Sequence, residues 1–497
     1  MKSLGLSFLL GLVSATGFQP LGLWPLTILA FTGLLLLIER APSLRSALAR
    51  GWWFGMGQFV LGLNWIATAF TYQAAMPAWL GWIAVVVLSF YLSVYTAAAT
   101  GLAWRWARPH KAMLVLILAA AWIVTEWLRG TLFTGFAWNP VGVSLIDTWA
   151  KWPARLIGTY GLSGLVILWA GLLWWAARHR NRALGVAVAL LPVLLADLRL
   201  TGAAAAPEQD RARPALRVVQ PDIPQEERQN ALQEDRNFIK LLRLTGLPDG
   251  APRLILWPEA AVPYNLHADR VAQEMLASRI GPRDLLLTGG IEIAEPPPGV
   301  AAAEYNSLYL LGPGAMILGR YDKAHLVPYG EYLPMRPFLT ALGLSRLVPG
   351  AGDILSGPGP GTLDLPGFGR MGAQICYEII FSGEVVDRAN RPDFLFNPSN
   401  DAWFGAWGPP QHFAQARLRA LEEGLPIVRS TPTGITGVID AQGRIVERLP
   451  QHEEGVIDTR LPRAAAATPF AQLGNLLPFA FALLLVAAAI AVRRKTR

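Results

Sequence analysis

The chain has 497 residues, of which 53% are hydrophobic and only 16% are charged, and its formal net charge is +8. This composition is too apolar for a soluble enzyme and the chain is too long for a simple anchor, so we expect membrane and globular parts together. Residues 213–462 hold 23 basic and 29 acidic side chains, which leaves a net charge of +14 on the remainder. The positive charge therefore belongs to membrane flanks. With no basic aromatic patch and no Cys/His cluster, the sequence predicts no nucleic-acid partner, metal or cofactor.

Eight apolar stretches reach or approach the ~20 residues that a helix needs to cross a bilayer. They are Leu4–Phe18, Leu21–Ile38, Gly51–Thr71, Trp79–Leu102, Met113–Leu128, Leu156–Ala177, Leu184–Leu200 and Leu473–Val492. They predict a membrane α-helical bundle of about eight spans, with seven spans in residues 1–212 and one in residues 463–497, around a globular domain at 213–462. The first stretch is short and basic at its start, so a cleaved signal peptide is the alternative there.

Lys and Arg near the predicted spans fall mostly in alternate loops. They are Lys2, then Arg40, Arg45 and Arg50, then Arg105, Arg108 and Lys111, then Arg178, Arg180 and Arg182, and finally Arg493, Arg494, Lys495 and Arg497. Because such residues accumulate on the cytoplasmic side, both termini are expected in the cytoplasm and the globular domain on the outer face. Arg129, Lys151 and Arg155 are exceptions to the alternation.

Within residues 213–462, short apolar runs bounded by turn residues alternate with helical stretches, as in α/β proteins. The predicted strands are Leu216–Gln220, Leu254–Trp257, Leu285–Thr288, Ser307–Leu311, Gly372–Ile375, Phe394–Phe396, Pro426–Arg429 and Val438–Asp440. The predicted helices are Glu227–Leu244, Ala268–Arg279, Gly383–Asn390 and Pro410–Glu423.

Three reactive side chains follow predicted strands, where α/β sheets display functional groups. Glu259 follows Leu254–Trp257, Lys323 follows the run ending at Asp322, and the only cysteine, Cys376, follows Gly372–Ile375. A thiol, a proton acceptor and a cation together make an acyl-transfer site. A buried inert cysteine, a capping glutamate and a surface lysine are the alternative for each residue taken alone.

The residues around these three positions resemble the nitrilase (carbon-nitrogen hydrolase) superfamily and, within it, the apolipoprotein N-acyltransferases. The matching segments are Phe133–Trp138, Trp257–Glu259, Arg320–Pro334, Ile375–Glu378, Asn397–Gly405 and Gln415–Ala420. The resemblance implies an αββα sandwich with Glu259 as general base, Lys323 as oxyanion-stabilising cation and Cys376 as nucleophile.

The same resemblance implies further residues that support the site, and it implies a biological setting. Glu331 would orient the site, and Tyr377 and Glu378 would shape the pocket, whereas Gln229 stands where relatives often carry Trp. The implied reaction moves a fatty acyl chain from a glycerophospholipid, through a cysteine thioester, to the N-terminal diacylglyceryl-cysteine of an apolipoprotein. The implied setting is the bacterial inner membrane, with a periplasmic catalytic domain.

Apolar side chains are candidates for a lipid-contacting rim, with ordinary core packing as the alternative. They are Phe338, Leu339, Trp403 and Trp407. Two other functions remain open on the sequence: a membrane-tethered amidase or nitrilase that passes the acyl group to water, and a non-catalytic lipid-binding or transport protein.

Overall fold

The fold is taken from a computed structural model of the chain. It describes residues 2–72, 77–107, 113–178, 187, 213–228, 230–294, 303–341 and 354–495. Fourteen helices lie in these ranges: α1 (Lys2–Ala15), α2 (Trp24–Glu39), α3 (Leu44–Gly62), α4 (Ile66–Ala69), α5 (Leu80–Ala107), α6 (Met113–Thr131), α7 (Ala154–Arg178), α8 (Gln225–Arg228), α9 (Glu234–Thr245), α10 (Arg270–Ala277), α11 (Arg336–Ala341), α12 (Gly408–Glu423), α13 (Pro469–Leu473) and α14 (Leu476–Lys495).

Seven of the eight predicted spans overlap helices α1 to α3, α5 to α7 and α14, although α3 covers only the first part of Gly51–Thr71 and ends at Gly62. Among the described residues, four helices are long and apolar enough to cross a membrane, namely α5, α6, α7 and α14, while α1 and α2 are apolar but shorter. The seventh stretch, Leu184–Leu200, lies outside the described residues apart from Ala187. The structure therefore supports a membrane bundle, and the count of eight stays a prediction.

The globular part contains two six-stranded sheets, with strand orders β12-β1-β2-β3-β4-β5 and β11-β10-β9-β8-β7-β6. Both sheets mix parallel and antiparallel neighbours. The strands are β1 (Ala215–Gln220), β2 (Arg253–Leu256), β3 (Leu285–Ala294), β4 (Ala303–Leu311), β5 (Ile317–Asp322), β6 (Thr362–Leu365), β7 (Gly369–Ala373), β8 (Phe394–Pro398), β9 (Ile427–Ser430), β10 (Thr436–Ile439), β11 (Ile445–Leu449) and β12 (Gly455–Arg460).

Alternating side chains of the first sheet face two different cores. Leu254 and Leu256 of β2 pack between the sheets with Phe394 and Val428 of the second sheet. Ile255, between them, packs in a separate core with helices α9 and α10. This period of two is the geometry of a sheet covered on both faces. The layers therefore run helix, sheet, sheet, and then α12, as the nitrilase resemblance predicts.

Helix α12 is buried on both sides, between the second sheet and the membrane bundle. Phe413 and Ala416 belong to the core of the globular part, whereas Leu418 and Leu421 pack in the core of the bundle. The two parts of the chain therefore share one continuous packed interface, and the site described below lies close to it.

Two of the predicted helices differ from the structure. The segment predicted as Glu227–Leu244 is divided into α8, a single turn at Ala231–Gln233 and α9. The predicted helix Gly383–Asn390 does not form. Gly383 has a φ of +82°, and the Asp387 carboxylate accepts hydrogen bonds from the backbone N–H groups of Ala389 and Asn390. Such local bonds favour a turn over a helix.

Candidate active site

Glu259 follows β2, an interior strand of the first sheet, and is buried. Its Oε1 accepts a hydrogen bond of 2.8 Å from Nδ2 of Asn306, and its backbone carbonyl accepts one of 3.1 Å from Nη2 of Arg228. Its Oε2 is buried and has no hydrogen-bond partner among the described residues. Since a buried acceptor without a partner is costly, this oxygen is available for a proton.

Lys323 follows β5 and is only 1% exposed. Its Nζ lies 3.0 Å from Oε1 of Glu331 and 3.5 Å from Oε1 of Glu259. Burial lowers the pKa of Lys323, but the charges of Glu331 and Glu259 more than offset this, so its pKa is raised above the ordinary value. The lysine is therefore a fixed cation between two carboxylates.

Glu331 connects the lysine to the loop that carries it. Its Oε1 accepts from both Lys323 and Asn306, and its Oε2 accepts a bond of 2.8 Å from the backbone N–H of Val327. Asn306, which the sequence analysis missed, therefore bridges Glu259 and Glu331. An asparagine inside a strand is unfavourable, and that was the available sequence signal.

Cys376 begins a short 3₁₀ turn three residues after the end of β7. Its φ is +52° and it is 5% exposed. The left-handed conformation costs a non-glycine residue about 1–2 kcal/mol, which the surroundings must offset. Burial raises the pKa of the Cys376 thiol well above its usual value, and so does Glu259, while Lys323 and the backbone N–H of Asn400 lower it. The resting thiol is therefore protonated, and it lies in the field of both Glu259 and Lys323.

Glu378 joins the turn Cys376–Ile380, the cysteine turn, to residues 323–327, the lysine loop. Its Oε2 accepts from the backbone N–H of Ile375 at 2.6 Å. Its Oε1 accepts from the hydroxyl of Tyr321 and the backbone N–H groups of Ala324 and His325 at 2.8, 2.8 and 3.1 Å. Burial raises its pKa to about 6 although these donors oppose the shift. At neutral pH the carboxylate is thus ionised and fully bonded.

A buried polar cluster behind the nucleophile was also missed by the sequence analysis. Nε2 of His412, on α12, lies 3.0 Å from the carbonyl oxygen of Cys376, and Nδ2 of Asn397 lies 3.3 Å from the same oxygen. The other ring nitrogen of His412 lies 2.9 Å from Oδ1 of Asp401, whose Oδ2 pairs with Arg429 at 2.5 Å. Because a carbonyl can only accept, Nε2 of His412 donates to it and holds the strained cysteine backbone. Nδ1 faces both the Asp401 carboxylate and, at 3.0 Å, Nη2 of Arg429.

A loop after α6 connects the membrane bundle to this site. The hydroxyl of Tyr377 donates to the carbonyl of Gly135 at 3.3 Å, and Nε2 of His325 lies 3.0 Å from the carbonyl oxygen of Thr134. His325 also stacks on Phe381 with ring centroids 3.7 Å apart. Consecutive carbonyls of one membrane-domain loop therefore hold the cysteine turn and the lysine loop.

The predicted rim residues have different surroundings. Phe338 is 62% exposed, so it is available for contact with lipid, whereas Leu339 is buried. Trp403 and Trp407 are partly buried and pack against the core between the sheets. The rings of Trp403 and Tyr72, which belongs to the membrane bundle, also pack in a T-shaped arrangement.

Comparisons with known proteins agree over nearly the whole chain. Residues 10–172 match the family described as Apolipoprotein N-acyltransferase N-terminal domain, and residues 215–468 match the family described as Carbon-nitrogen hydrolase. A protein of Rhodopseudomonas palustris named Apolipoprotein N-acyltransferase is 36% identical, over 99% of this chain and 95% of its own length. The chain belongs to the apolipoprotein N-acyltransferase family.

Two further relatives of the same name support the family. Proteins of the same name from Bradyrhizobium diazoefficiens and Caulobacter vibrioides are each 36% identical, over 98% of this chain and 94% of their own lengths. The solved structure of Saccharomyces cerevisiae Nit3, a member of the nitrilase superfamily, is 18% identical with a TM-score of 0.36, covering 50% of this chain and 90% of that one. Family membership makes this chain an acyltransferase with a nitrilase-like domain that acts in lipoprotein maturation.

Proposed function

We propose that the chain transfers a fatty acyl group from a membrane glycerophospholipid to the α-amino group of the N-terminal diacylglyceryl-cysteine of apolipoproteins, with Cys376 as the covalent carrier. The observation that carries the proposal is the grouping of a buried thiol, a fixed cation and a carboxylate with one free oxygen. Glu259 is the proton acceptor, Lys323 the cation and Cys376 the nucleophile.

In the first step the thiol proton of Cys376 passes to Glu259 while Sγ attacks an ester carbonyl of the phospholipid. The negative charge that develops on the carbonyl oxygen is stabilised by Lys323. The ester C–O bond then breaks, Glu259 returns the proton to the departing alkoxide, and a lysophospholipid leaves. The raised pKa of the thiol supports proton transfer during attack over a preformed thiolate.

In the second step the neutral amine of the acceptor attacks the thioester and gives its proton to Glu259. A C–N bond forms, the C–S bond breaks and the thiol of Cys376 takes the proton back. This is a ping-pong sequence, because the first product leaves before the amide forms. Glu331 holds Lys323, and Tyr377 and Glu378 hold the nucleophile turn, through the bonds described above.

The membrane bundle fits this chemistry because both substrates are lipids, and each CH₂ brought into water costs ~0.8 kcal/mol. We propose a division into a bundle at 1–212, a catalytic domain at 213–462 and a final span with a basic tail at 463–497. We also propose a bacterial inner-membrane location, with both termini in the cytoplasm and the catalytic domain on the periplasmic face. Phe338 is the first candidate for the lipid-contacting rim, while Trp403 and Trp407 are supporting candidates.

The proposal is tested with purified protein, a phospholipid with a labelled acyl chain and a diacylglyceryl lipopeptide with a free amine. We expect the label to appear in an amide on the lipopeptide, and a Cys376→Ala variant to give none. Release of the label as free fatty acid without amide formation would favour a hydrolase. Full activity of the alanine variant would contradict the covalent mechanism.

A further inference from the structure

Arg228, at the end of α8, is a cation at the site that the reaction above does not use. Its Nη2 donates to the backbone carbonyls of Glu259 at 3.1 Å and of Ala260 at 2.8 Å. The guanidinium is thereby fixed beside the proposed base. The backbone is also tightly packed at this point, because a Cβ added at Gly289 would lie only 2.2 Å from the backbone N of Ala260.

The charge of Arg228 is not neutralised by a dedicated partner. In the described parts of the chain its hydrogen bonds go only to those two carbonyls. The charges that act on it are those of Glu259 and Cys376, which belong to the reaction, while burial lowers its pKa. Its Nε and Nη1 make no hydrogen bond within the described residues, and they are not fully buried, because the residue is half-buried. These two nitrogens of the Arg228 guanidinium are therefore free to donate to a ligand near the nucleophile.

An accessible fork of N–H donors with a fixed positive charge suits phosphate, which it binds through charge-assisted hydrogen bonds. The two lipids of the proposed reaction differ in this respect. The acyl donor carries a phosphodiester on the glycerol that bears the reacting ester. The diacylglyceryl-cysteine acceptor has a thioether at that position and no phosphate.

We propose that Arg228 binds the phosphodiester of the acyl donor and thereby selects phospholipids over uncharged glycerolipids in the first half-reaction. This inference rests on the proposed function and assigns the donor-recognition residue. Arg228 has two separable tasks: its Nη2 holds the carbonyl of Glu259, and its charge and open donors hold phosphate. Different substitutions remove one task or the other.

The test compares two donors that share their acyl chains, a phosphatidylethanolamine and the corresponding diacylglycerol, in detergent with the full-length protein. For Arg228→Gln, whose amide can still donate to a carbonyl, we expect the ratio of kcat/KM for phospholipid to that for diacylglycerol to fall by about 10-fold or more, since a hydrogen bond to a charged group contributes about 1.5–3 kcal/mol. For Arg228→Lys, which keeps the charge but loses the guanidinium donors, we expect both rates to fall and the ratio to fall less than in Arg228→Gln.

Arg236→Gln is the matched control, because Arg236 is an exposed arginine on the neighbouring helix α9. It makes the same change of net charge and should leave the donor ratio unchanged. An equal loss with both donors in Arg228→Gln would overturn the proposal, since Arg228 would then act only through Glu259. A ratio equal to that of wild type would overturn it as well.

Binding gives a readout that does not depend on turnover. In the Cys376→Ala background we expect lysophosphatidylethanolamine to bind more tightly than monoacylglycerol, and Arg228→Gln to remove that difference. A difference that survives the substitution would contradict the phosphate site even if the protein transferred no acyl group, so failure of this site and failure of the proposed function are distinguishable.

Discussion

Two buried carboxylates of this chain show the contrast between a reactive cluster and a structural one. Glu422 of α12 accepts three hydrogen bonds on Oε1, from the N–H and hydroxyl of Thr159 and the hydroxyl of Ser382, and its Oε2 lies 2.8 Å from Nε of Arg419. Glu259 has bonds on Oε1 alone. Glu422 is held by an ion pair on the oxygen that its hydrogen bonds leave free, and it fastens the catalytic domain to the membrane bundle. Oε2 of Glu259 has neither a hydrogen bond nor an ion pair among the described residues, so it is left able to take a proton.

The largest expected effect is the loss of that proton acceptor. Glu259→Gln should lower the rate of acyl transfer by about 10²–10⁴-fold, the usual contribution of general acid–base catalysis. The glutamine keeps an acceptor for Asn306, so thermal unfolding of the purified variant should occur close to the wild-type temperature. A variant that retains a rate near wild type would show that Glu259 is not the base.

The opposite pattern is expected at the structural carboxylate. Glu422→Gln leaves the buried guanidinium of Arg419 without its counter-ion, which costs about 3–5 kcal/mol of stability. Thermal unfolding should move to lower temperature, whereas the transfer rate of the folded protein should stay within about 10-fold of wild type, or about 1.4 kcal/mol. If the unfolding temperature stayed the same and acyl transfer was lost, Glu422 would have a catalytic role like that of Glu259, which contradicts its assignment as structural.

A smaller effect is expected behind the nucleophile. His412→Leu removes the donor to the carbonyl of Cys376, a bond of about 0.5–1.5 kcal/mol, so kcat should fall by up to about 10-fold with KM for the donor unchanged. His412→Gln keeps an amide donor and should restore part of kcat. A change in KM with constant kcat would assign His412 to substrate binding instead of positioning.

The smallest effect concerns pH. Glu378 is ionised above its raised pKa of about 6 and gains a proton as the pH falls through that value. A proton on this carboxylate displaces one of its four donors and loosens the cysteine turn from the lysine loop. The rate at pH 6 should therefore be about half of the rate at neutral pH. Glu378→Gln mimics the protonated form, so it should be slow throughout and lack this step.

Eight of the twelve strands were predicted, because an apolar run is a local signal, whereas β5, β6, β11 and β12 were not. The structure places Glu259, Lys323 and Cys376 within three residues of the ends of β2, β5 and β7, and their catalytic roles stay a prediction. Asn306, His412 and Arg228 were missed because their roles depend on contacts with distant parts of the chain, such as that between His412 and Cys376. The helix predicted at Gly383–Asn390 was wrong because Asp387 bonds its own backbone there.

The most direct test of the account is the intact mass of the protein after exposure to phospholipid without an acceptor. The wild type should gain the mass of one acyl chain, hydroxylamine should remove it, and Cys376→Ala should gain nothing. Glu259→Gln should acquire the adduct far more slowly. A wild-type protein that transfers acyl chains to a lipopeptide but never carries the adduct on Cys376 would contradict the covalent mechanism.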